Sequence, residues 1–331
     1  MTTILELRNL HKAFELGPAE RLIAVRDVSL ELGRGETLAL VGESGSGKTT
    51  IGRCALRMVE PTSGAIVFAG QDITTLAAAP LRALRARMQM VFQDPFASLN
   101  PRFRVGDIVA DPLRVHTSLR RDGRMGRVAE ILRDVGLAPD VARYFPAAPP
   151  ASEQQRVGIA RAFATRPELV VLDEPPSMLD LSARAGILSL LQGLQAATDV
   201  SYIFISHDLI SVAKISHRIA VLYLGSLVEL APTETVMTAQ RHPYSQALLA
   251  AVLFPDPSRK PAATVIEGEI PSAINPREEC AVYGRCPMRI DACLAGRPPL
   301  RAVAPAHEVA CLRAEETRGR ADDAALRQKA G

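Results

Sequence analysis

The chain has 331 residues, 47% hydrophobic and 23% charged, an ordinary composition for a folded globular protein that excludes collagen-like and disordered classes. Lys+Arg 39 against Asp+Glu 36 leaves a formal charge of +3, too weak a field for nucleic acid to be the main partner. No run reaches the ~18–20 apolar residues of a spanning helix, and the opening MTTILELRNL carries Glu6 and Arg8 where a secretory signal has its apolar core; the expectation is a cytosolic chain that meets a membrane only through a spanning partner.

In chain order, ILELRNL and AVRDVSLEL alternate apolar and polar residues as half-buried strands do, which predicts an early antiparallel portion. ETLALVG is fully apolar and runs into a glycine-rich turn, the pattern of a buried strand feeding a phosphate loop. From about Pro95 to Phe145 the periodicity turns helical and Arg-rich (Arg114, Arg120, Arg121, Arg124, Arg127, Arg133), predicting a helical insertion, at about 96–165, with a solvated basic face. The sheet resumes at ELVVLDE, and Ile219 to Leu224 is another strand-length apolar run. After Ala251 prolines accumulate and periodicity fades, which sets a boundary near Pro255. The expected domains are thus 1–254, an extension over 255–314, and a disordered or frayed tail over 315–331.

Gly42-Glu43-Ser44-Gly45-Ser46-Gly47-Lys48-Thr49 fits GxxxxGK[ST] between the strand Thr37–Val41 and a helical run from Thr49 to about Met58, the context that motif requires. Its glycines let backbone N–H groups wrap a polyphosphate; Lys48 would bridge the β- and γ-phosphates and the Thr49 hydroxyl would ligate Mg²⁺. About 125 residues on, the apolar strand Leu169–Leu172 ends in Asp173-Glu174-Pro175. Neighbouring carboxylates on a strand point different ways, so Asp173 suits Mg²⁺ and Glu174 suits polarising a water.

The order of this phosphate loop, Gln93 in MVFQDP, LDEP followed by Ser177-Met178-Leu179-Asp180, and Phe204-Ile205-Ser206-His207-Asp208 resembles the ATP-binding cassette (ABC) ATPases: Walker A, Q-loop, Walker B, D-loop (Asp180) and switch histidine. VFQDPFASLNPR, YLGSLVEL and HPYSQALLAA look like the ATPase subunits of oligopeptide and dipeptide importers, a branch that includes nickel importers, and GRCALRMVEPTSG looks closer to the second of their two paralogous ATPases. The resemblance covers about residues 3–313. It implies an α/β fold in which a mostly parallel P-loop sheet carries an antiparallel β subdomain, a helical subdomain and a small Cys-containing extension. It further implies ATP and Mg²⁺ as cofactors, Thr50 joining residues 42–49 at the nucleotide, Gln93 near Mg²⁺ and the attacking water, and His207 on the γ-phosphate. Phe14 would stack on adenine, or is an ordinary core phenylalanine.

One segment departs from the family. Where a signature loop of the type [LF]SGGQ is expected, the chain reads Pro149-Pro150-Ala151-Ser152-Glu153, followed by an intact Gln155-Arg156-Val157-Gly158 helix start. Pro150 removes a hydroxyl and an N–H, Ala151 and Ser152 add Cβ atoms, and Glu153 adds negative charge where a γ-phosphate of the other subunit would approach. Alternatively Ser152 simply N-caps a helix from Glu153. A homodimer would leave both sites with the altered loop, so a heterodimer with a paralogous ATPase is expected, holding one consensus and one degenerate ATP site.

Of five cysteines, Cys54 stands alone and is read as a small buried residue, while Cys280-x5-Cys286-x6-Cys293-x17-Cys311 cluster. The spacing alone does not separate zinc, an iron–sulfur cluster and unmetallated thiols. CAVYGRCPMRIDAC and HEVAC resemble the C-terminal region of some peptide-importer ATPases, which implies a 4Fe-4S cluster on these four thiols, with Zn²⁺ the alternative.

The expected function is ATP hydrolysis, at the cytoplasmic face of a membrane, energising an importer for peptides or related solutes. The implied partners are two transmembrane permease subunits and, indirectly, an extracytoplasmic solute-binding protein, with no nucleic acid. The rival expectations are a regulatory subunit that clamps ATP with little turnover and a nickel-importer ATPase.

Overall fold

A computed structural model describes residues 2–175, 179–251, 266 and 268–317. Ser177 and Met178, the boundary expected near Pro255 and residues 318–331 of the expected tail lie outside the described residues.

The chain opens with the long hairpin β1 (Thr3–Gly17) and β2 (Glu20–Gly33). Next, β3 (Thr37–Val41) runs into helix α1 (Lys48–Ala55), and β4 (Ser63–Phe68) and β5 (Gln71–Asp72) close an antiparallel sheet ordered β2-β1-β4-β5. Helix α2 (Ala78–Leu84) and β6 (Met88–Val91) lead into the helical region: α3 (Pro95–Ser98), α4 (Val105–His116), α5 (Arg121–Asp134) and α6 (Ala151–Phe163). Then β7 (Leu169–Asp173), α7 (Leu181–Thr198), β8 (Ser201–Ile205), α8 (Leu209–Ile215), β9 (Arg218–Tyr223), β10 (Ser226–Pro232), α9 (Thr233–Ala239) and α10 (Pro243–Ala250) complete the main body.

The central sheet is ordered β11-β12-β10-β9-β3-β8-β7-β6, with β11 (Arg301–Ala304) and β12 (His307–Val309) at one edge and β9, β3, β8, β7 and β6 mutually parallel. Buried on both faces, these strands are mainly apolar, and their alternation divides the core. Val170 and Leu172 join Ala39, Phe204 and Val221 on the face covered by α4 to α8, whereas Leu169 and Val171 join Leu38, Ile203 and Leu222 on the face covered by α1 and the antiparallel sheet. Cys54 is fully buried on that second face, as expected of a small apolar residue.

The helical region bears its basic face outward: Arg114, Arg120, Arg121 and Arg133 are exposed and Arg124 and Arg127 half-buried. Two features were not legible beforehand. Strands β11 (Arg301–Ala304) and β12 (His307–Val309) extend the edge of the central sheet, β12 pairing with β10. A segment near Ile274 also pairs with β2, where Ile23 donates to the Ala273 carbonyl at 2.9 Å and Asn275 donates to the Arg21 carbonyl at 2.9 Å. The C-terminal residues thus lie against both sheets. No helix among the described residues is long and apolar enough to cross a membrane.

Candidate nucleotide site

The phosphate loop fills the turn from β3 to α1, so its geometry follows from what surrounds it. Gly47 has φ +95° and a Cβ there would lie 2.2 Å from the Ala24 carbonyl oxygen; only glycine lets the loop pass this close to β2. Gly47 is also the N-cap of α1, which has neither a side-chain cap nor an acidic residue in its first turn. The first N–H groups of that helix and its positive dipole end therefore face an anion site.

Lys48 is buried, and its ammonium donates to the Gly42 and Glu43 carbonyls, both at 2.9 Å, and to Ser46 Oγ at 3.3 Å. All three of its donors are engaged within the loop, so a polyphosphate would exchange for these acceptors rather than meet a loose cation. Burial pulls the Lys48 pKa down, while the carboxylates of Glu174, Asp173 and Glu43 oppose that shift.

Thr49 Oγ1 donates to Asp173 Oδ1 at 2.9 Å, joining Walker A to the end of β7. Asp173 is buried and its pKa is raised, chiefly by burial. Hydroxyl and carboxylate oxygens side by side beside a phosphate cradle suit Mg²⁺, which takes one or two protein oxygens and completes its shell with phosphate and water. One residue on, Glu174 adopts φ +47°, anchored by its N–H to the Ile205 carbonyl at 2.9 Å. Its carboxylate takes partners different from those of Asp173. Gln93 Nε2 donates to Glu174 Oε2 at 2.9 Å, and His207 Nδ1 lies 3.2 Å from Glu174 Oε1. Gln93 and His207 are both exposed, so this assembly opens onto the surface.

Other expected residues are placed more loosely. Ser44 and Gly45 form the exposed lip of the loop and Thr50 is half-buried in the first turn of α1. Phe14 is half-buried opposite Leu22, two residues from the Ala24 that borders Gly47, with Lys12 Nζ 4.7 Å from its ring centroid. Asp180 N-caps α7, accepting the Ala183 N–H at 2.8 Å.

Residues 25–177 match the ABC transporter family and residues 228–293 match the oligopeptide/dipeptide transporter C-terminal region. The "Probable peptide ABC transporter ATP-binding protein" of Sinorhizobium fredii is 46% identical over 288 residues, covering 87% of this chain and 82% of its own. The "Oligopeptide transport ATP-binding protein AppF" of Bacillus subtilis is 43% identical over 318 residues, covering 93% of this chain and 97% of its own. The chain belongs to the ABC transporter ATPases. Among solved structures, a dimeric ATP-binding cassette in a post-hydrolysis state bound to ADP and Pi matches with a TM-score of 0.65 and 27% identity, covering 70% of this chain and 99% of that one.

In this ABC ATPase the 149–153 segment leads into helix α6. Helix α6 begins at Ala151 with Pro150 as N-cap and no side-chain cap. The expectation that Ser152 caps a helix from Glu153 is therefore corrected. Pro150, at φ −58° and ψ 160°, already has the extended backbone of an N-cap, and its carbonyl accepts the N–H groups of Glu153 at 2.9 Å and Gln154 at 3.0 Å, so the helix starts two residues earlier. Ser152 falls at the second helical position and Glu153 at the third, an acid within the first turn. Further along α6, Arg161 donates to the Ser98 carbonyl at 2.6 Å and stacks 5.7 Å from the Phe92 ring, tying this helix to the segment that carries Gln93.

Cys280, Cys286, Cys293 and Cys311 line one cavity, together with His242 and Met288. Burial pushes the Cys280 thiol up to about 11 and raises those of Cys286 and Cys311. The cavity measures about 20 Å³, room for about one water. Among the described residues no group of three or more His, Cys, Asp or Glu is set to hold a metal ion. The donor set suits a thiophilic centre, but the hollow as described is too small for one.

Two contacts at the P-loop were not foreseen. Tyr244 Oη accepts the Glu43 N–H at 2.9 Å, and Arg285, from the turn between the first two clustered cysteines, pairs with the Glu43 carboxylate at 2.9 Å. The only sequence signal was the company they keep, in HPYSQALLAA and YGRC.

Proposed function

We propose that this ABC ATPase energises the import of peptides or related solutes, working as one of two paralogous ATPase subunits docked on two transmembrane permeases at the cytoplasmic face of the membrane. The peptide assignment is supported by the C-terminal family match and by relatives named as peptide-transport ATP-binding proteins. A solute-binding protein would deliver the cargo to the permeases, and nucleic acid plays no part.

The observation that carries the catalytic reading is Glu174 held between Gln93 and His207, one residue from the Asp173–Thr49 pair. Lys48 and the N–H groups of α1 would hold the β- and γ-phosphates, with Phe14 against the adenine. Thr49 and Asp173, with Gln93, would hold Mg²⁺, which supplies charge stabilisation to the transferring phosphoryl group. Glu174 accepts a proton from the attacking water, which takes the place beside the carboxylate now held by Gln93 or His207. His207 then turns to the γ-phosphate as charge builds there.

The Pro149–Glu153 segment favours an asymmetric pair. This chain's Walker residues would complete a hydrolytic site with a partner's intact signature, and its altered loop would face the partner's P-loop in a slow or non-hydrolytic site. A subunit that only clamps ATP is the second reading, favoured by the same segment and opposed by the intact Glu174 arrangement. ATP hydrolysis by the co-purified complex, with Glu174→Gln in this chain alone, decides between them. Loss of roughly 10²–10⁴-fold, the usual worth of a positioned general base, supports the asymmetric assignment; retention of most activity overturns it.

The four clustered thiols are the proposed ligands of a 4Fe-4S cluster with a structural role, Zn²⁺ being the alternative, since they share one cavity and thiolates suit either centre. Binding would require that cavity to open. Iron and sulfide analysis with visible absorbance after anaerobic purification tests this; a colourless, zinc-loaded or metal-free chain excludes the cluster.

A further inference from the structure

A phosphate cradle with a carboxylate at its second position poses an electrostatic problem. Glu43 lies inside the 42–49 loop, near enough for its charge to act on the Lys48 ammonium. An unpaired carboxylate there repels a triphosphate, and the repulsion grows with the number of phosphate charges.

The structure resolves this problem from the far end of the chain. Arg285 Nη1 donates to Glu43 Oε2 at 2.9 Å and Arg285 Nη2 donates to Glu43 Oε1 at 3.3 Å, a two-pronged pairing across 242 residues of sequence. The Arg285 side chain is 11% exposed and that of Glu43 31%, so water screens the pair only in part. Arg285 is itself held: Nη1 also donates to Tyr223 Oη at 3.2 Å, and the guanidinium sits 5.9 Å from the Tyr223 ring centroid. Tyr223 packs on Tyr244 with ring centroids 4.7 Å apart, and Tyr244 Oη accepts the Glu43 backbone N–H. Glu43 is thus gripped at both its main chain and its carboxylate, while its own carbonyl holds the Lys48 ammonium.

We infer that Arg285 is a positioning residue of the nucleotide site, supplied by the cysteine-bearing C-terminal segment, which cancels the Glu43 charge and holds its carboxylate clear of the phosphates. The inference rests on the 42–49 loop being the phosphate cradle. It makes the C-terminal extension a part of the ATP site: Arg285 immediately precedes Cys286, so whatever shifts the cysteine-lined turn shifts the charge balance of the P-loop.

The test is equilibrium binding of ATP, ADP and adenosine to the full chain carrying Glu174→Gln, which prevents turnover. Arg285→Ala should raise the ATP Kd about tenfold, the scale of one hydrogen bond to a charged group, with a smaller effect on ADP and none on adenosine. Adding Glu43→Gln to Arg285→Ala should restore ATP affinity to within about twofold of Glu43→Gln alone, because the charge to be cancelled is gone. Arg285→Lys, which keeps the charge and loses the fork, should stay within about threefold of the parent and serves if the alanine variant does not fold. Equal losses for adenosine and ATP, or additive losses in the double variant, overturn the inference and leave Arg285 as a fold contact. Failure of the parent chain to bind ATP at all would instead overturn the phosphate-cradle reading.

Discussion

Two helix N-termini of this molecule have matching roles in the function proposed above and differ in the charge of their first turns. Helix α1 starts after Gly47 and α6 after Pro150, and neither has a side-chain cap. In the function proposed above both ends address a triphosphate, α1 within its own site and α6 across a dimer interface. At α1 the third helical residue is Thr50 and the first turn holds no acid; at α6 the third residue is Glu153. An acid in the first turn satisfies the helix dipole internally. The same helix end therefore either awaits an anion or is already neutralised, and one residue decides which.

The strongest way to break this comparison is to give α1 the charge of α6. Thr50→Glu places a carboxylate at the third helical position beside the phosphate loop. As a helix substitution it is favourable by roughly 0.3–1 kcal/mol, since acids stabilise N-terminal turns. As a change at the nucleotide site it is repulsive, on the order of 2 kcal/mol for like charges several ångströms apart at partial exposure. The expected outcome is a thermal midpoint held or raised while the ATP Kd rises about 30-fold or more. A fall in stability with unchanged affinity would show that the α1 terminus does not set the anion site.

The reverse exchange is expected to act more weakly. Restoring Leu-Ser-Gly-Gly-Gln at residues 149–153 removes two proline rings, two Cβ atoms and one charge, so the partner's P-loop site gains a competent opposing surface. ATPase activity of the complex should rise by up to about twofold, the doubling of working sites, and further only where the two sites also couple. An unchanged rate with unchanged nucleotide occupancy would mean that the altered loop is neutral and the asymmetric assignment fails.

The difference between the two termini was only half visible in the sequence. The phosphate loop is local: strand, glycines, lysine and helix follow one another within 37–55, and each element follows from its neighbours. The same holds for β7, whose five buried residues announce a strand and whose end delivers Asp173. The 149–153 segment was read as a departure from the family, but its helix start was misplaced. Serine is a good cap, which obscured the fact that the preceding proline already supplies the backbone geometry and the accepting carbonyl. Family resemblance assigned Gln93, Glu174 and His207 to one nucleotide site, but the meeting of Gln93 and His207 on Glu174 was not foreseen, because no local rule brings residues from three separate strand ends together. Arg285 was invisible on both counts: its partner is 242 residues away, and the 3-residue turn that carries it has no periodicity to read. Strands β11 and β12 were missed for a related reason, being 4 and 3 residues long and ordered by pairing with one another and with β10 rather than by a pattern of their own.

The finest cut through the comparison is Glu153→Gln alone, which restores the neutral amide of the family and leaves both prolines in place. Removing the charge costs α6 its internal dipole partner, about 0.3–1 kcal/mol of stability. It also removes the repulsion of a partner's triphosphate while leaving the rigid Pro149–Pro150 backbone where it is. If charge is what disables the segment, the substitution should recover a measurable share of the gain from full restoration, roughly twofold in nucleotide retention at the partner's site, with a small loss in thermal stability. That gain should shrink as ionic strength rises, because Glu153 is only half-buried and its charge is screened over about 8–10 Å at physiological salt. If geometry is what disables it, Glu153→Gln will lower stability and change nothing at the nucleotide. The obstacle would then be the missing hydroxyl and N–H at Pro150, and only substitutions that release that position would matter.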